Sequence, residues 1–251
     1  MTDIILVGCL GRMGRAVTEA AKEKSADYNI KYGVDVNFDG AVFAGYPVVN
    51  DISEISPDGD EVIVDFSHHS AGKALCDYAA KKKLPLILCT TGYTDDELEY
   101  IKAASERTAV FRSGNMSVGV ALLCSLAKKA ASVFPEADIE IVETHHNHKL
   151  DAPSGTALML AEAIREVRPA AYPVTGRSGH AKRTADEIGI HAIRMGNIVG
   201  EHEVIIGTPN QTITLKHEAH SRALFAEGAL AAAGFLIGKG PGLYAMKDLV
   251  G

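Results

Sequence analysis

Apolar and polar residues follow one another along this chain in two different rhythms, and the change falls near residues 114–117. Before it, short and almost uninterrupted apolar runs alternate with stretches of helical spacing. Residues 3–7 (Asp-Ile-Ile-Leu-Val) read as a strand, followed by a helix over about 12–24. Further strands are expected at 29–35, 61–66, 84–89 and 109–111, with helices near 70–82 and 95–107. Strands without a polar face are buried on both sides, which implies a parallel sheet covered by helices. The expected class is α/β, with a Rossmann-like doubly wound sheet.

Beyond residue 117 the rhythm changes. A long helix over 117–133 precedes residues 138–143, where Ile139 and Ile141 against Glu140 and Glu143 predict a sheet with one solvated face. A helix over 155–167 follows. Residues 189–195, 202–206 and 212–217 then read as strands in series, with turns at Gly196-Asn197 and Thr208-Pro209-Asn210. Such a series makes an antiparallel or mixed sheet, distinct from the first. An Ala-rich helix over 222–237 ends at Gly238. Two domains are expected, an α/β one and then an α+β one.

Composition narrows the classes. A chain of 251 residues can bury a full core, and 47% hydrophobic with 23% charged residues is ordinary globular usage. A net charge of −7 without a basic patch argues against nucleic acid as partner, so any anionic ligand must be held by local cations. No apolar run approaches the roughly 20 residues that span a bilayer. The N-terminus enters a strand with no basic leader, so no secretory segment is expected. Cys9, Cys76, Cys89 and Cys124 lie far apart with no CxxC pair, the pattern of reduced thiols in cytoplasm.

Two stretches carry chemistry. The first is Gly8-Cys9-Leu10-Gly11-Arg12-Met13-Gly14, between a strand and a helix. Gly8 permits a tight turn, Gly11 lets a pyrophosphate approach the backbone, and Gly14 lets the helix pack close to the strand. The helix N-terminus offers amides and a partial positive charge to phosphates. Asp35 closes the second strand, where its carboxylate can accept from ribose hydroxyls. The spacing is GxxGxxG rather than GxGxxG, so a plain Gly-rich turn also fits. Cys89-Thr90-Thr91-Gly92 and Ser113-Gly114-Asn115-Met116 follow strands in the same half, where an open α/β sheet binds ligands. Thr94 with Glu97 forms a helix cap beside the first of these. Phe66 and Ser67 are expected to line the pocket, and His68 and His69 to be solvated.

The second stretch is His145-His146-Asn147-His148-Lys149-Leu150-Asp151-Ala152-Pro153-Ser154-Gly155-Thr156. Metal binding fits poorly, because Lys149 would repel a cation and no HExxH is present. A nucleophilic Ser154 lacks the GxSxG context and leaves the glycine loop unexplained. A polar surface turn also remains open. The chemistry that uses every residue is proton donation with carboxylate binding. Histidine titrates near neutrality, Lys149 is a compact cation, and Ser154, Gly155 and Thr156 open a helix whose amides can hold an anion. Asp151 is expected to orient the loop. Arg177, His180, Lys182 and Arg183 read as a solvated basic loop.

These residues closely resemble the dihydrodipicolinate reductase family. The likeness is carried by the glycine stretch from Val7, by Asn115-Met116-Ser117-Val118-Gly119, and most specifically by Glu143-Thr144 with the His–Lys stretch and Ala157. It extends over essentially the whole chain. The resemblance implies a dinucleotide-binding domain at 1–116, completed by 218–251, and a substrate-binding and tetramerisation domain at 117–217 with an open sheet. It implies NADH- or NADPH-dependent reduction, with loss of water, of a cyclic dicarboxylate derived from 4-hydroxy-tetrahydrodipicolinate, in lysine biosynthesis via diaminopimelate, by a homotetramer. By the same resemblance, His145 donates or accepts a proton and Lys149 donates one. His146, Ser154, Gly155 and Thr156 bind the substrate carboxylates. Gly8, Cys9, Leu10, Gly11, Arg12, Met13, Asp35, Cys89, Thr90, Thr91, Ser113, Gly114, Asn115 and Met116 bind the cofactor, and no metal is implied. Two departures stand out. Val36 follows Asp35 where many members carry a basic residue, which tilts the expectation toward NADH, although Arg12, Arg15 or Lys31 remain as phosphate partners. Cys89 stands where glycine is common. Another Rossmann-type dehydrogenase of amino-acid pathways and a non-catalytic NAD(P) sensor are the alternative readings.

Overall fold

Apolar runs at the start of the chain become strands because their side chains are covered on both faces. In the computed structural model, which describes residues 1–40 and 45–251, β1 (Thr2–Val7) leads through α1 (Arg12–Glu23) to β2 (Tyr28–Val34) and the two-residue β3 (Val48–Val49). Next come β4 (Glu61–Asp65), α2 (Gly72–Lys82), β5 (Leu86–Leu88), α3 (Asp95–Ser105) and β6 (Ala109–Arg112). The chain then leaves for α4 (Val118–Val133), β7 (Asp138–His145), α5 (Gly155–Arg165), β8 (Tyr172–Thr175), β9 (Glu187–Arg194), β10 (Gly200–Thr208) and β11 (Gln211–Ala219). It ends in α6 (Ala223–Leu236), β12 (Gly242–Tyr244) and α7 (Met246–Val250). Among the described residues two units form, Met1–Ser117 with Ala223–Gly251, and Val118–Arg222. The second boundary lies later than the 217/218 expected, because β11 continues to Ala219.

The first unit holds a parallel sheet in the order β12-β6-β5-β4-β1-β2-β3. Every residue of β4 is buried, as a central parallel strand requires. Strand order reverses between β1 and β4, which opens a crevice at their carboxyl ends. The Ala-rich α6 packs on α1 and across the sheet, while α2 and α3 share a core with Ile5, Ile63 and Leu86. Close approach at the first turn depends on Gly14, whose Cβ would lie 2.2 Å from the Gly8 carbonyl oxygen. The short strands β3, β8 and β12 were not foreseen, since two to four residues cannot show a period.

The second unit holds a mixed sheet in the order β11-β10-β7-β9-β8. Strand β10 is antiparallel to β11 and β7, whereas β7–β9 and β8–β9 are parallel. Pro209-Asn210 closes a hairpin between Thr208 and Gln211, but the Gly196-Asn197 turn does not, because β7 lies between β9 and β10. Helices α4 and α5 pack together over one face, on Ile139, Ile141, Ile190 and Val204.

Two expectations need correction here. Glu143 does not face solvent with Glu140: the period of two puts it on the buried face with Ile139, Ile141 and His145, where it is fully covered. The basic loop is also not simply solvated. Arg183 reaches Asp138 at 2.8 Å, Glu140 at 2.7 Å and the Ile139 carbonyl at 3.1 Å, and Arg177 pairs with Glu187. These contacts tie Arg177 and Arg183 to the starts of β7 and β9.

Because backbone surrounds the missing Gly14 side chain, Gly14→Ala is expected to destabilise the protein by about 1–3 kcal/mol, the usual cost of overpacking. Urea unfolding measures this, and an unchanged midpoint would contradict the tight turn-to-helix packing.

Candidate active site

Each unit contributes one chemically distinct region. In the first, a cleft of about 460 Å³ is lined by Gly8, Gly11, Asp35, Asn50, Ser67 and His68, among others. Gly8 has φ +76°, and a Cβ there would fall 2.8 Å from the Phe66 carbonyl oxygen, so only glycine fits both the turn and its neighbour. Gly11 is the N-cap of α1 and supplies no side-chain cap, and the first turn carries no acidic residue. The leading amides at Arg12 and Met13 therefore open a helix terminus suited to phosphate oxygens. Leu10 is placed differently from a phosphate donor, since its amide donates to Asp35 Oδ2 at 3.0 Å. Asp35 Oδ1 accepts from Asn37 N at 3.0 Å, which holds the carboxylate still while its remaining lone pairs stay available.

The loops after β5 and β6 leave the carboxyl ends of neighbouring strands of the same sheet. They approach each other closely enough that a Cβ on Gly114 would meet the Thr91 methyl at 3.8 Å. Thr90 Oγ1 donates to Asp65 at 2.9 Å, and Ser113 Oγ donates to the Asn115 carbonyl at 2.6 Å. Met116, Cys9 and Cys89 are buried. Burial pushes the Cys9 thiol up to about 11 and the Cys89 thiol well above its ordinary value, so neither is an activated thiolate. The helix cap at Thr94 and Glu97 forms in full. His69 departs from expectation, being paired with Glu97 at 3.0 Å rather than solvated, and His68 caps the turn that follows it. This cradle of glycines, open amides and a carboxylate at the end of β2 fits a nicotinamide dinucleotide.

In the second unit, one carboxylate organises the His–Lys stretch. Glu143 has no exposed surface and accepts from His145 Nδ1 at 2.5 Å, from both terminal nitrogens of Arg194 at 2.8 Å, and from Ser154 N at 3.0 Å. Burial pushes its carboxyl up, but the bonds from Arg194, His145 and Ser154 together outweigh that and hold it below the ordinary value. His145 therefore has its Nδ1 committed and its Nε2 free for chemistry. Burial holds His145 below its usual value, ahead of the opposing pull of Glu143, so the ring rests neutral.

Around this pair the loop is closely held. His146 N donates to the Ile198 carbonyl at 2.8 Å, and Asn147 N to the Gly196 carbonyl at 3.2 Å. Lys149 Nζ lies 2.8 Å from Asp151. Ser154 is the N-cap of α5: its hydroxyl accepts from Ala157 N at 3.2 Å and bonds His202 Nε2 at 3.0 Å. The amide and the hydroxyl of Ser154 are thus both engaged inside the protein. Gly155, the first helical residue, is exposed, with open space where a side chain would project. His202 stacks edge-on to His145 at 5.1 Å, and burial with the nearness of His145 pushes it down to about 4. Sequence reading missed Glu143, Arg194 and His202 as site residues. The two-residue spacing of Glu143 and His145 on a strand was the available signal.

Comparison with known proteins agrees with this arrangement. The family description "Dihydrodipicolinate reductase, N-terminus" matches residues 2–116, and "Dihydrodipicolinate reductase, C-terminus" matches residues 119–250. A 4-hydroxy-tetrahydrodipicolinate reductase of Caldanaerobacter subterraneus is 48% identical, covering 100% of this chain and 98% of its own. One from Clostridium tetani is 46% identical, covering 100% and 97%. The solved dipicolinate-bound dihydrodipicolinate reductase of Paenisporosarcina sp. TG-14 superimposes with a TM-score of 0.82 at 25% identity, covering 99% of both chains.

Breaking the buried pair tests the role given to Glu143. Glu143→Gln is expected to cost about 3–5 kcal/mol of stability at neutral pH, because it leaves Arg194 uncompensated. Since the folded carboxyl lies below its unfolded value, this stabilisation is present above roughly pH 4.3 and is lost as pH falls through the folded value. Urea denaturation of both proteins from neutral to acid pH should show the gap closing; a constant gap would refute an ionised Glu143.

Proposed function

The chain belongs to the dihydrodipicolinate reductase family, and from that membership and the site geometry we propose that it reduces the cyclic intermediate derived from 4-hydroxy-tetrahydrodipicolinate. In this reading the substrate takes up a hydride and a proton, loses water and becomes tetrahydrodipicolinate, in lysine biosynthesis via diaminopimelate. A bound nicotinamide cofactor supplies the hydride and leaves oxidised. The observation that carries the proposal is the Glu143–His145 pair beside Lys149 and the open N-terminus of α5.

The roles follow from the charges. Two substrate carboxylates need donors in a protein of net charge −7; Gly155 and Thr156 supply them at the start of α5, and His146 from the loop after β7. Lys149 is an ammonium donor next to His145, which rests neutral with Nε2 as an acceptor. We assign Lys149 as proton donor to the reduced ring. His145 takes up a proton as the dianion raises its affinity, and returns it. Glu143 keeps the reactive nitrogen of His145 turned outward. Assembly as a homotetramer through the open face of the second sheet, where Ile193 is exposed, and a cytoplasmic location belong to the same proposal.

The preferred cofactor in this reading is NADH. Asp35 would repel a 2′-phosphate, Val36 beside it is exposed and uncharged, and Lys31 is already bound by Asp58 at 2.6 Å and Glu61 at 2.7 Å. Arg15 Nε is directed to the Leu10 carbonyl at 3.1 Å. A kcat/KM ratio of roughly tenfold or more for NADH over NADPH is expected, the equivalent of about 1.4 kcal/mol. A preference for NADPH would overturn this assignment.

With substrate generated enzymatically, His145→Gln and Lys149→Cys are each expected to lower kcat by about 100-fold or more, as loss of a general acid does. Gly155→Val fills the space at the helix start and should chiefly raise the substrate KM. Near-wild-type turnover in the first two variants would remove those residues from the chemistry.

A further inference from the structure

Asp65 ends β4, beside the point where strand order reverses, and it is fully buried. A carboxylate in that position needs donors, and it has three. Ser67 N reaches Oδ1 at 2.9 Å and Ser67 Oγ reaches the same oxygen at 2.5 Å, while Thr90 Oγ1 reaches Oδ2 at 2.9 Å. Its own carbonyl accepts from Cys89 N at 3.0 Å. Ser67 belongs to the loop after β4 and lines the cleft; Thr90 belongs to the loop after β5. The glycine turn closes on the same place, because a Cβ on Gly8 would meet Ser67 Cα at 3.0 Å. One buried side chain thus ties together two loops at the carboxyl end of the sheet.

This arrangement fixes polarity as well as position. A carboxylate offers only lone pairs, so the Ser67 and Thr90 hydroxyl protons both point inward at Asp65. Each hydroxyl oxygen then presents only lone pairs to a neighbour on its other side. We propose that Asp65 is a positioning residue that presets Ser67 and Thr90 as hydrogen-bond acceptors for donors on the nicotinamide-riboside half of the cofactor. The inference rests on reading this cleft as the cofactor site. The carboxamide N–H and the ribose O–H groups share the required donor chemistry. An asparagine at 65 would direct an N–H at one hydroxyl, which must then accept and turn its own proton outward against the ligand's donor.

Steady-state kinetics of the full-length protein test this. Asp65→Asn is expected to raise both the Kd for NADH, titrated by its fluorescence without substrate, and the KM for NADH about tenfold while kcat changes by less than roughly threefold, the scale of one reversed hydrogen bond. In a Ser67→Ala, Thr90→Val background no hydroxyl remains to be oriented, so Asp65→Asn should add less than about a twofold increase. An unchanged KM in the single variant, or an equal increase in both backgrounds, overturns the proposal in favour of a purely structural aspartate. Should Asp65→Asn fail to fold, Ser67→Ala and Thr90→Val carry the test: each is expected to raise KM roughly threefold or more, and two unchanged values overturn the proposal. Repeating the measurement with the reduced acetylpyridine analogue, which lacks the carboxamide N–H, separates the donors. A penalty that vanishes identifies the carboxamide, and one that persists identifies the ribose. Failure of the wild-type protein to oxidise either reduced cofactor would instead sink the cofactor reading itself.

Discussion

A carboxylate removed from water must be met by donors, and this fold satisfies that requirement at three fully buried positions, Glu61, Asp65 and Glu143. Leaving such a charge unmet would cost several kcal/mol. Each of the three therefore dictates the local path of the chain. Glu61 gathers Lys31 and the amides of Asp58 and Gly59. Asp65 gathers the loops after β4 and β5, and Glu143 gathers β7, β9 and the start of α5. The buried acids behave as fixed anchors at strand ends, and the regions that bind and react are the loops they hold.

The two functional regions are built on this principle in different ways. In the parallel sheet the glycines bring backbone close, and the chemistry offered to a ligand is mostly amide and hydroxyl. Side chains named for cofactor binding turn inward in several cases, as with Cys9, Cys89 and Met116, so their contribution is the shape of the loop. In the mixed sheet the reactive groups are side chains, and orientation is decided by Glu143. A histidine in the same loop without that partner would be free to present either nitrogen.

A consequence is that charge and proton supply are kept distinct within the second region. Glu143 is neutralised by Arg194 in a two-pronged contact, so it can orient His145 without trapping a proton there. His202, pushed down to about 4, adds a neutral ring beside His145 and ties to the cap of α5. The His145 ring and the start of α5 are thereby connected through buried hydrogen bonds, which limits independent movement of either one.

Much of this protein was legible in its residues. Unbroken apolar runs announced buried parallel strands, and the glycines at 8–14 announced the tight turn and close helix packing that follow β1. Those features are local: period, glycine placement and side-chain chemistry determine them within a few neighbours. What tertiary structure decided was partnership across distance. Glu143 looked like a surface residue until Arg194, 51 positions away, closed over it. Lys31 looked free to take a phosphate until Asp58 and Glu61 claimed it, and the partner of the Ser154 hydroxyl, His202, lies 48 positions away. Hydrogen-bond partners far apart in sequence are chosen by the sheet that brings them together, and no periodicity records that choice.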